Sequence, residues 1–309
     1  MTAVSSLRSR AVVICGPTAV GKTDLAVELA GRMGAEVISA DSRQVYRRMD
    51  IGTGKPSTEQ LALVRHHLID LVDPDQTYDV AAWLRAALDT MRDLQRRATP
   101  PLVCGGTGLY LSALARGLVG APPADETIRG RLLAAEKAEP GSLYDRLERL
   151  DPESAARIHP NDRVRVVRAL EVLESTGSTI SALREAQAGG GPAFELLMLE
   201  LKLPRAELYS RIDDRVGRML EAGFLDEVRA LEKQGYHRGL RAFNAIGYPQ
   251  AWDCLEGRLR ESELGEEIAG ATRNYAKRQL TWFRGQFHCR SLAAGDSDEA
   301  YELAMRFFY

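Results

Sequence analysis

Residues 11–23 read AVVICGPTAVGKT. The β-prone run Val12 to Cys15 stops at Gly16. From Lys22 to about Met33, apolar residues Leu25, Ala26, Leu29, Ala30 and Met33 recur at helical spacing. Between strand and helix, Gly16 to Thr23 fits G-x-x-x-x-G-K-[ST] without a gap. Such a loop is an anion cradle. Gly16 and Gly21 let the backbone curl, and the first helical amides point inward with the helix dipole behind them. Lys22 adds a cation, and the Thr23 hydroxyl can hold Mg²⁺. Gly16, Thr18, Ala19, Val20, Gly21, Lys22 and Thr23 are therefore expected to bind an oligophosphate. The dinucleotide fingerprint G-x-G-x-x-G is not what this loop carries.

Working outward, Glu36 to Ser39 reads as a second strand, His67 to Leu71 as a third and Pro101 to Cys104 as a fourth. The helix Tyr78 to Arg97 has an apolar side of Ala82, Leu84, Leu88, Met91 and Leu94, and Leu109 to Ala115 is also helical. Strands alternating with helices predict an α/β fold, a parallel sheet flanked by helices. Apolar rather than alternating strands predict burial of both sheet faces. The rhythm changes at Gly120-Ala121-Pro122-Pro123. From Asp125 to Gly189 only helical patterns occur, cut by Pro140-Gly141 and Asp151-Pro152 and closed by Gly189-Gly190-Gly191-Pro192. Phe194 to Leu201 returns as a strand. Helices follow at Arg205–Glu221, at Leu225–Lys233, from Gly247-Tyr248-Pro249, and from Glu261 to about Arg284. The expected division is 1–122 as the first part of the core and 123–191 as an inserted all-helical subdomain. Residues 192–290 are the second part of the core and 291–309 a C-terminal tail.

The 309 residues carry 41 Lys plus Arg against 43 Asp plus Glu, a net charge of -2 that excludes a uniformly basic nucleic-acid coat. Local basic faces remain. Gly270 to Leu292 contains Arg273, Arg278, Arg284, Arg290 and Lys277 and no acid, and Arg163, Arg165 and Arg168 share a helical stretch. The four cysteines form no CxxC pair, which predicts reduced thiols of a cytoplasmic protein and no zinc site. Met1 to Arg10 has no apolar run of the signal-peptide kind, and no apolar window is long enough to span a membrane.

Asp41 ends the second strand at the sheet edge where ligands bind. It can hold magnesium through water, take a proton from a nucleophile, or serve only as a turn residue. The glycine-rich segment Ile51 to Pro56 can line a ligand or cross the surface. No Asn-Lys-x-Asp motif occurs, and Leu68-Ile69-Asp70 is the nearest thing to a Walker B strand. These residues leave open an ATP-dependent small-molecule kinase and a non-catalytic RNA-binding protein.

Longer matches narrow the choice. They run GPTAVGKT from Gly16, ISADSRQVYRRMDIGTGKP from Ile38, GGTGLY from Gly105, PPAD from Pro122 and IHPNDRVRVVRALEV from Ile158. GF-x-x-EV-x-x-L from Gly223, AIGY from Ala245 and TRNYAKRQLTWFR from Thr272 follow in order. In these the chain resembles the bacterial tRNA dimethylallyltransferases, the IPP transferase family. The resemblance implies a P-loop kinase-like fold. It implies transfer of a dimethylallyl group from dimethylallyl diphosphate to N6 of adenosine 37 in the tRNA anticodon stem-loop, with Mg²⁺ as cofactor. It makes Asp41 the general base and puts Ser42, Arg43 and Gln44 against the target nucleotide. Lys22 and Thr23 would hold the diphosphate and its magnesium, Thr107 would approach the adenosine, and Arg215 would reach the diphosphate. Arg129 and the segment Asn161, Asp162, Arg163, Val164 and Arg165 would meet tRNA, as would Arg273 and Arg278 of the basic C-terminal helix. A monomer is implied. The chemistry is consistent with these residues: cations and loop amides can stabilise a departing diphosphate, and one carboxylate can take the amine proton.

Overall fold

The computed structural model describes residues 10–118, 120–187 and 194–309. The expectations for Met1 to Ser9 and for the Gly189–Pro192 closure fall outside that range. Strand β1 (Arg10–Cys15) is the strand the sheet is built around. It runs parallel to both β4 (Pro101–Cys104) and β5 (Glu195–Lys202), with Ala11 to Cys15 fully buried. With β2 (Glu36–Ser39), β3 (His66–His67) and β6 (Arg290–Ala293) the order is β3-β2-β4-β1-β5-β6, every pairing parallel. The central strands β1 and β4 read as mostly apolar because both of their faces are covered.

The helices of this unit are α1 (Lys22–Met33), α2 (Thr58–Leu63), α3 (Val80–Arg96) and α4 (Gly108–Arg116). Between α4 and β5 the chain forms α5 (Glu126–Ala138), α6 (Ser142–Leu150), α7 (Pro152–Ala155), α8 (Arg163–Thr176) and α9 (Ile180–Gln187). After β5 come α10 (Arg205–Glu221), α11 (Phe224–Lys233), α12 (Tyr248–Leu255), α13 (Glu261–Gln286) and, beyond β6, α14 (Ser297–Phe308).

Strand alternation sorts the core. Val12 and Ile14 join Leu25 and Leu29 of α1, Ile212 of α10 and Phe308 of α14 on one face. Ala11, Val13 and Cys15 join Trp83, Met91 and Leu94 of α3 and Phe283 of α13 on the other. A third cluster joins Val45 and Met49, after β2, to Phe224, Phe243, Tyr248 and Trp252. The segment Arg116–Pro192 is a compact unit of its own, and its described elements are all helical. Leu132, Leu143, Leu147, Val166 and Leu170 form its core.

Two expectations need correction. The third strand is only His66–His67, because Leu68 and Asp70 take positive φ, 63° and 54°, which cannot continue an extended ladder. Residues 291–309 are not a tail. They supply β6 and α14, whose Leu292, Ala300, Ala304 and Phe308 are buried in the core. Among the described residues no helix is long and apolar enough to cross a membrane.

Candidate active site

The parallel strands deliver their C-terminal loops to one edge. There, within the first unit, lies a cavity of about 530 Å³. Its walls include Thr18 and Ala19, Gly21 to Asp24, Asp41 to Gln44, Gly52 to Gly54, Gly105 and Gly106. Arg211, Asp214, Arg215 and Arg218 of α10 and Thr272, Tyr275, Arg278 and Gln279 of α13 also line it.

The phosphate loop has the backbone its sequence demands. Gly16 and Gly21 hold φ of 140° and 99°, and Ala19 sits at 63°. A Cβ on Gly16 would lie 2.9 Å from the Leu201 carbonyl oxygen, so the loop is closed against β5. Lys22 Nζ donates to the Pro17 carbonyl at 2.6 Å, bridging the loop. Burial pushes its ammonium below the ordinary lysine value, while Cys104 and Asp41 oppose that shift. Burial also raises the Cys104 thiol to about 12, which keeps it protonated.

Asp41 follows β2 and Ala40. Its Oδ1 accepts the Arg43 N–H at 2.8 Å and the Gln44 N–H at 3.4 Å. Thr107 Oγ1 accepts the Ser42 N–H at 3.0 Å, and the Thr107 N–H donates to the Ala40 carbonyl at 3.3 Å. Thr107 therefore adjoins the turn that carries Asp41. Both ends of the Gln44 amide have a protein partner. Its Oε1 accepts the Ser39 hydroxyl at 3.0 Å and its Nε2 donates to the Gly54 carbonyl at 3.0 Å.

Arg215 enters the cavity from α10 and packs against Gly54. Burial lowers its guanidinium from the ordinary arginine value, and Asp41 opposes the shift. No carboxylate among the described residues pairs with it. The neighbouring Arg211 is held by Glu207 at 2.9 Å.

The glycine-rich segment after β2 lines the cavity with Gly52, Thr53 and Gly54. Glu227 fixes it by accepting the N–H groups of Asp50 and Ile51 at 2.7 Å and that of Gly52 at 3.3 Å. The Tyr248 hydroxyl donates to the same carboxylate at 2.6 Å. A side chain at Gly52 would collide with Phe224 and Tyr248. Sequence reasoning did not single out Glu227, Tyr248 or Gln279. The signal lay inside GF-x-x-EV, AIGY and TRNYAKRQL, but periodicity cannot separate a buried polar clamp from a helix's ordinary polar face.

The basic helix α13 is divided. Arg278 lines the cavity, whereas Arg273 lies outside its lining, ion-paired to Asp213 and Glu266 at 2.6 Å. The second unit is divided in the same way. Glu171, fully buried, accepts the Arg129 Nε–H at 3.1 Å and the Asp125 N–H at 2.5 Å, and pairs with Arg168 at 3.0 Å. Arg168 also donates to the Pro122 carbonyl at 2.5 Å. Asn161, Arg163, Val164 and Arg165 are exposed, and Asp162 caps α8 by accepting the Arg165 N–H at 3.2 Å. No cluster of three or more His, Cys, Asp or Glu that could hold a metal occurs among the described residues.

The family model described as IPP transferase matches residues 44–286, and one described as isopentenyl transferase matches residues 9–73. A tRNA dimethylallyltransferase of Thermotoga maritima is 47% identical over 272 residues, 88% of each chain. One of Geobacter sulfurreducens is 44% identical over 303 residues, 97% of each. The crystal structure of a full-length tRNA isopentenylpyrophosphate transferase from Bacillus halodurans superposes with TM-score 0.72 at 38% identity, covering 97% of each chain. A eukaryotic dimethylallyltransferase acting on tRNA superposes with TM-score 0.79 at 30% identity, covering 94% of this chain and 75% of the other.

Proposed function

The chain belongs to the IPP transferase family of tRNA dimethylallyltransferases, and we propose that this cavity is where it transfers a dimethylallyl group from dimethylallyl diphosphate to N6 of adenosine 37 in tRNA. The observation that carries the assignment is the meeting, in one cavity, of the phosphate loop, Asp41 and Arg215, an arginine that no carboxylate among the described residues pairs. The loop amides from Ala19 to Thr23, Lys22 and Arg215 hold the diphosphate. As the bond from C1 to the bridging oxygen breaks, charge collects on the departing diphosphate, and these donors stabilise it. The N6 lone pair forms the new bond to C1, and Asp41 takes the N6 proton.

Magnesium bound with the diphosphate supplies further positive charge against the leaving group. The residues fit it: magnesium carried by phosphates needs only one or two protein oxygens, and the Thr23 hydroxyl, with Asp24 and Asp41 on the same cavity, offers them.

Ser42, Arg43, Gln44 and Thr107 position the nucleotide, which must leave its stack to reach C1. Within the second unit Asn161, Asp162, Arg163, Val164 and Arg165 are tRNA-contacting residues, and within the first unit Arg278 is one. Arg129 and Arg273 act through their helices, since carboxylates already hold them. One chain carries a whole site, so the enzyme works as a monomer, in the cytoplasm with its tRNA.

Asp41→Asn tests the assignment. Asparagine still accepts the Arg43 N–H, so the turn survives while the base is lost. Turnover on unmodified tRNA should fall about 10²–10⁴-fold, with diphosphate affinity nearly unchanged. A wild-type rate would remove Asp41 from the mechanism. Phosphoryl transfer from ATP in place of prenyl transfer would mark a kinase.

A further inference from the structure

Gln279 is a polar residue of α13 that is only 6% exposed. Its Oε1 accepts the Thr18 N–H at 2.9 Å, and its Nε2 donates to the Gly106 carbonyl at 2.9 Å. One neighbour is a donor and the other an acceptor, so a single amide orientation satisfies both. The fit leaves no slack: a Cβ at Gly106 would lie 2.5 Å from Gln279 Nε2.

The two partners belong to opposite sides of the reaction. Thr18 is part of the loop that holds the diphosphate. Gly106 precedes Thr107, which is bonded to Ser42 and Ala40 on either side of Asp41. The sheet ladder between the parent strands ends at the bond from the Gly105 N–H to the Ile14 carbonyl, 3.1 Å. Beyond that bond, Gln279 ties the two loops together.

Resting on the site assignment above, we propose that Gln279 is a positioning residue that sets the spacing between the leaving group and the acceptor with its base. Misplacing reacting groups by about 1 Å can cost about 10²-fold in rate without loss of binding. The effect of losing Gln279 should therefore fall on the chemical step.

Two variants test it against Asp41→Asn in parallel. Gln279→Met keeps the volume and removes both hydrogen bonds. Its single-turnover rate at saturating tRNA and dimethylallyl diphosphate should fall about 10–100-fold, while magnesium pyrophosphate and tRNA affinities stay within about threefold. Gln279→Glu keeps the acceptor for Thr18 but, when ionised, has no proton for Gly106. Lys22 of the phosphate loop, Cys104 of β4, Asp41 after β2 and Arg215 of α10 surround the same space. Rates are compared with wild type at each pH, so that their titration cancels. The ratio of Glu variant to wild type should rise as pH falls, because a protonated carboxyl can donate again.

A wild-type rate in Gln279→Met would overturn the proposal. So would a rate loss matched by equal losses of pyrophosphate affinity and thermal midpoint, or a ratio flat with pH in Gln279→Glu. If Asp41→Asn is also fully active, the site assignment itself fails. If Asp41→Asn is crippled and the Gln279 variants are not, only this inference fails.

Discussion

Arg215→Met should make the protein more stable and a much poorer binder of diphosphate. The guanidinium is half-buried, shifted down by burial, and paired with no carboxylate among the described residues. An ion withdrawn from water without compensation costs several kcal/mol in a closed interior. The open cavity reduces that here, so exchanging it for a methionine that still packs on Gly54 should gain about 1–2 kcal/mol. The same guanidinium can make two charge-assisted bonds to a diphosphate, each worth about 1.5–3 kcal/mol. Losing both predicts affinity weaker by about 10²–10⁴-fold. The measurement is urea unfolding with and without magnesium pyrophosphate. At about 100 times the wild-type Kd, wild type gains about 2.7 kcal/mol, and the variant at that concentration gains less than about 0.5. A variant less stable than wild type, or one stabilised equally by pyrophosphate, would refute the reasoning.

Four further outcomes are expected. Replacing Arg163 and Arg165 by alanine should lower the slope of log affinity for tRNA against log salt by about 1–2 units, with stability unchanged. Arg168→Ala should instead cost about 2 kcal/mol of stability by weakening the hold on buried Glu171, read by urea unfolding. Hydrogen bonds from Arg97, then His67, hold the Glu36 carboxyl down at about 2 from an ordinary 4.5. Its contribution is therefore complete above about 4.5 and is lost as pH falls through 2. The full shift converts to about 3 kcal/mol, which solvent screening reduces to roughly 1–2. The stability gap between wild type and Glu36→Gln should close over that window, and a constant gap would count against it. Phe308→Ala should cost about 3–5 kcal/mol, since the side chain is fully buried beside Leu25 and Leu29 in the main core. A near-neutral result in thermal unfolding would return the C-terminus to the status of a tail.

What the sequence made legible follows from which signals are local. Gly16 to Thr23 and Asp41 could be placed because phosphate loops and strand-end acids are set by contiguous backbone, and the apolar strands announced burial on both faces. The third strand was overdrawn because apolar character says nothing of φ. Leu68 and Asp70 turn left-handed so that Asp70 can meet Lys55 and its N–H the Gln44 carbonyl. β6 escaped because its burial falls on one side chain, Leu292, and only pairing to β5 shows it to be a strand. Arginine counting failed differently. Arg273, Arg129 and Arg168 look like Arg163 and Arg165 in sequence, and all five meet carboxylates; only burial separates them, since Arg163 and Arg165 stay largely exposed beside Glu136 and Asp162 while the other three are mostly covered. Gln279 is the extreme case. Its partners Thr18 and Gly106 are backbone groups far away in the chain, and a backbone group carries no side-chain signature. Residues that bind a ligand directly can leave a motif, because chemistry constrains their type. Residues that space two loops are constrained by geometry alone, and that constraint becomes visible only when the loops have been brought together.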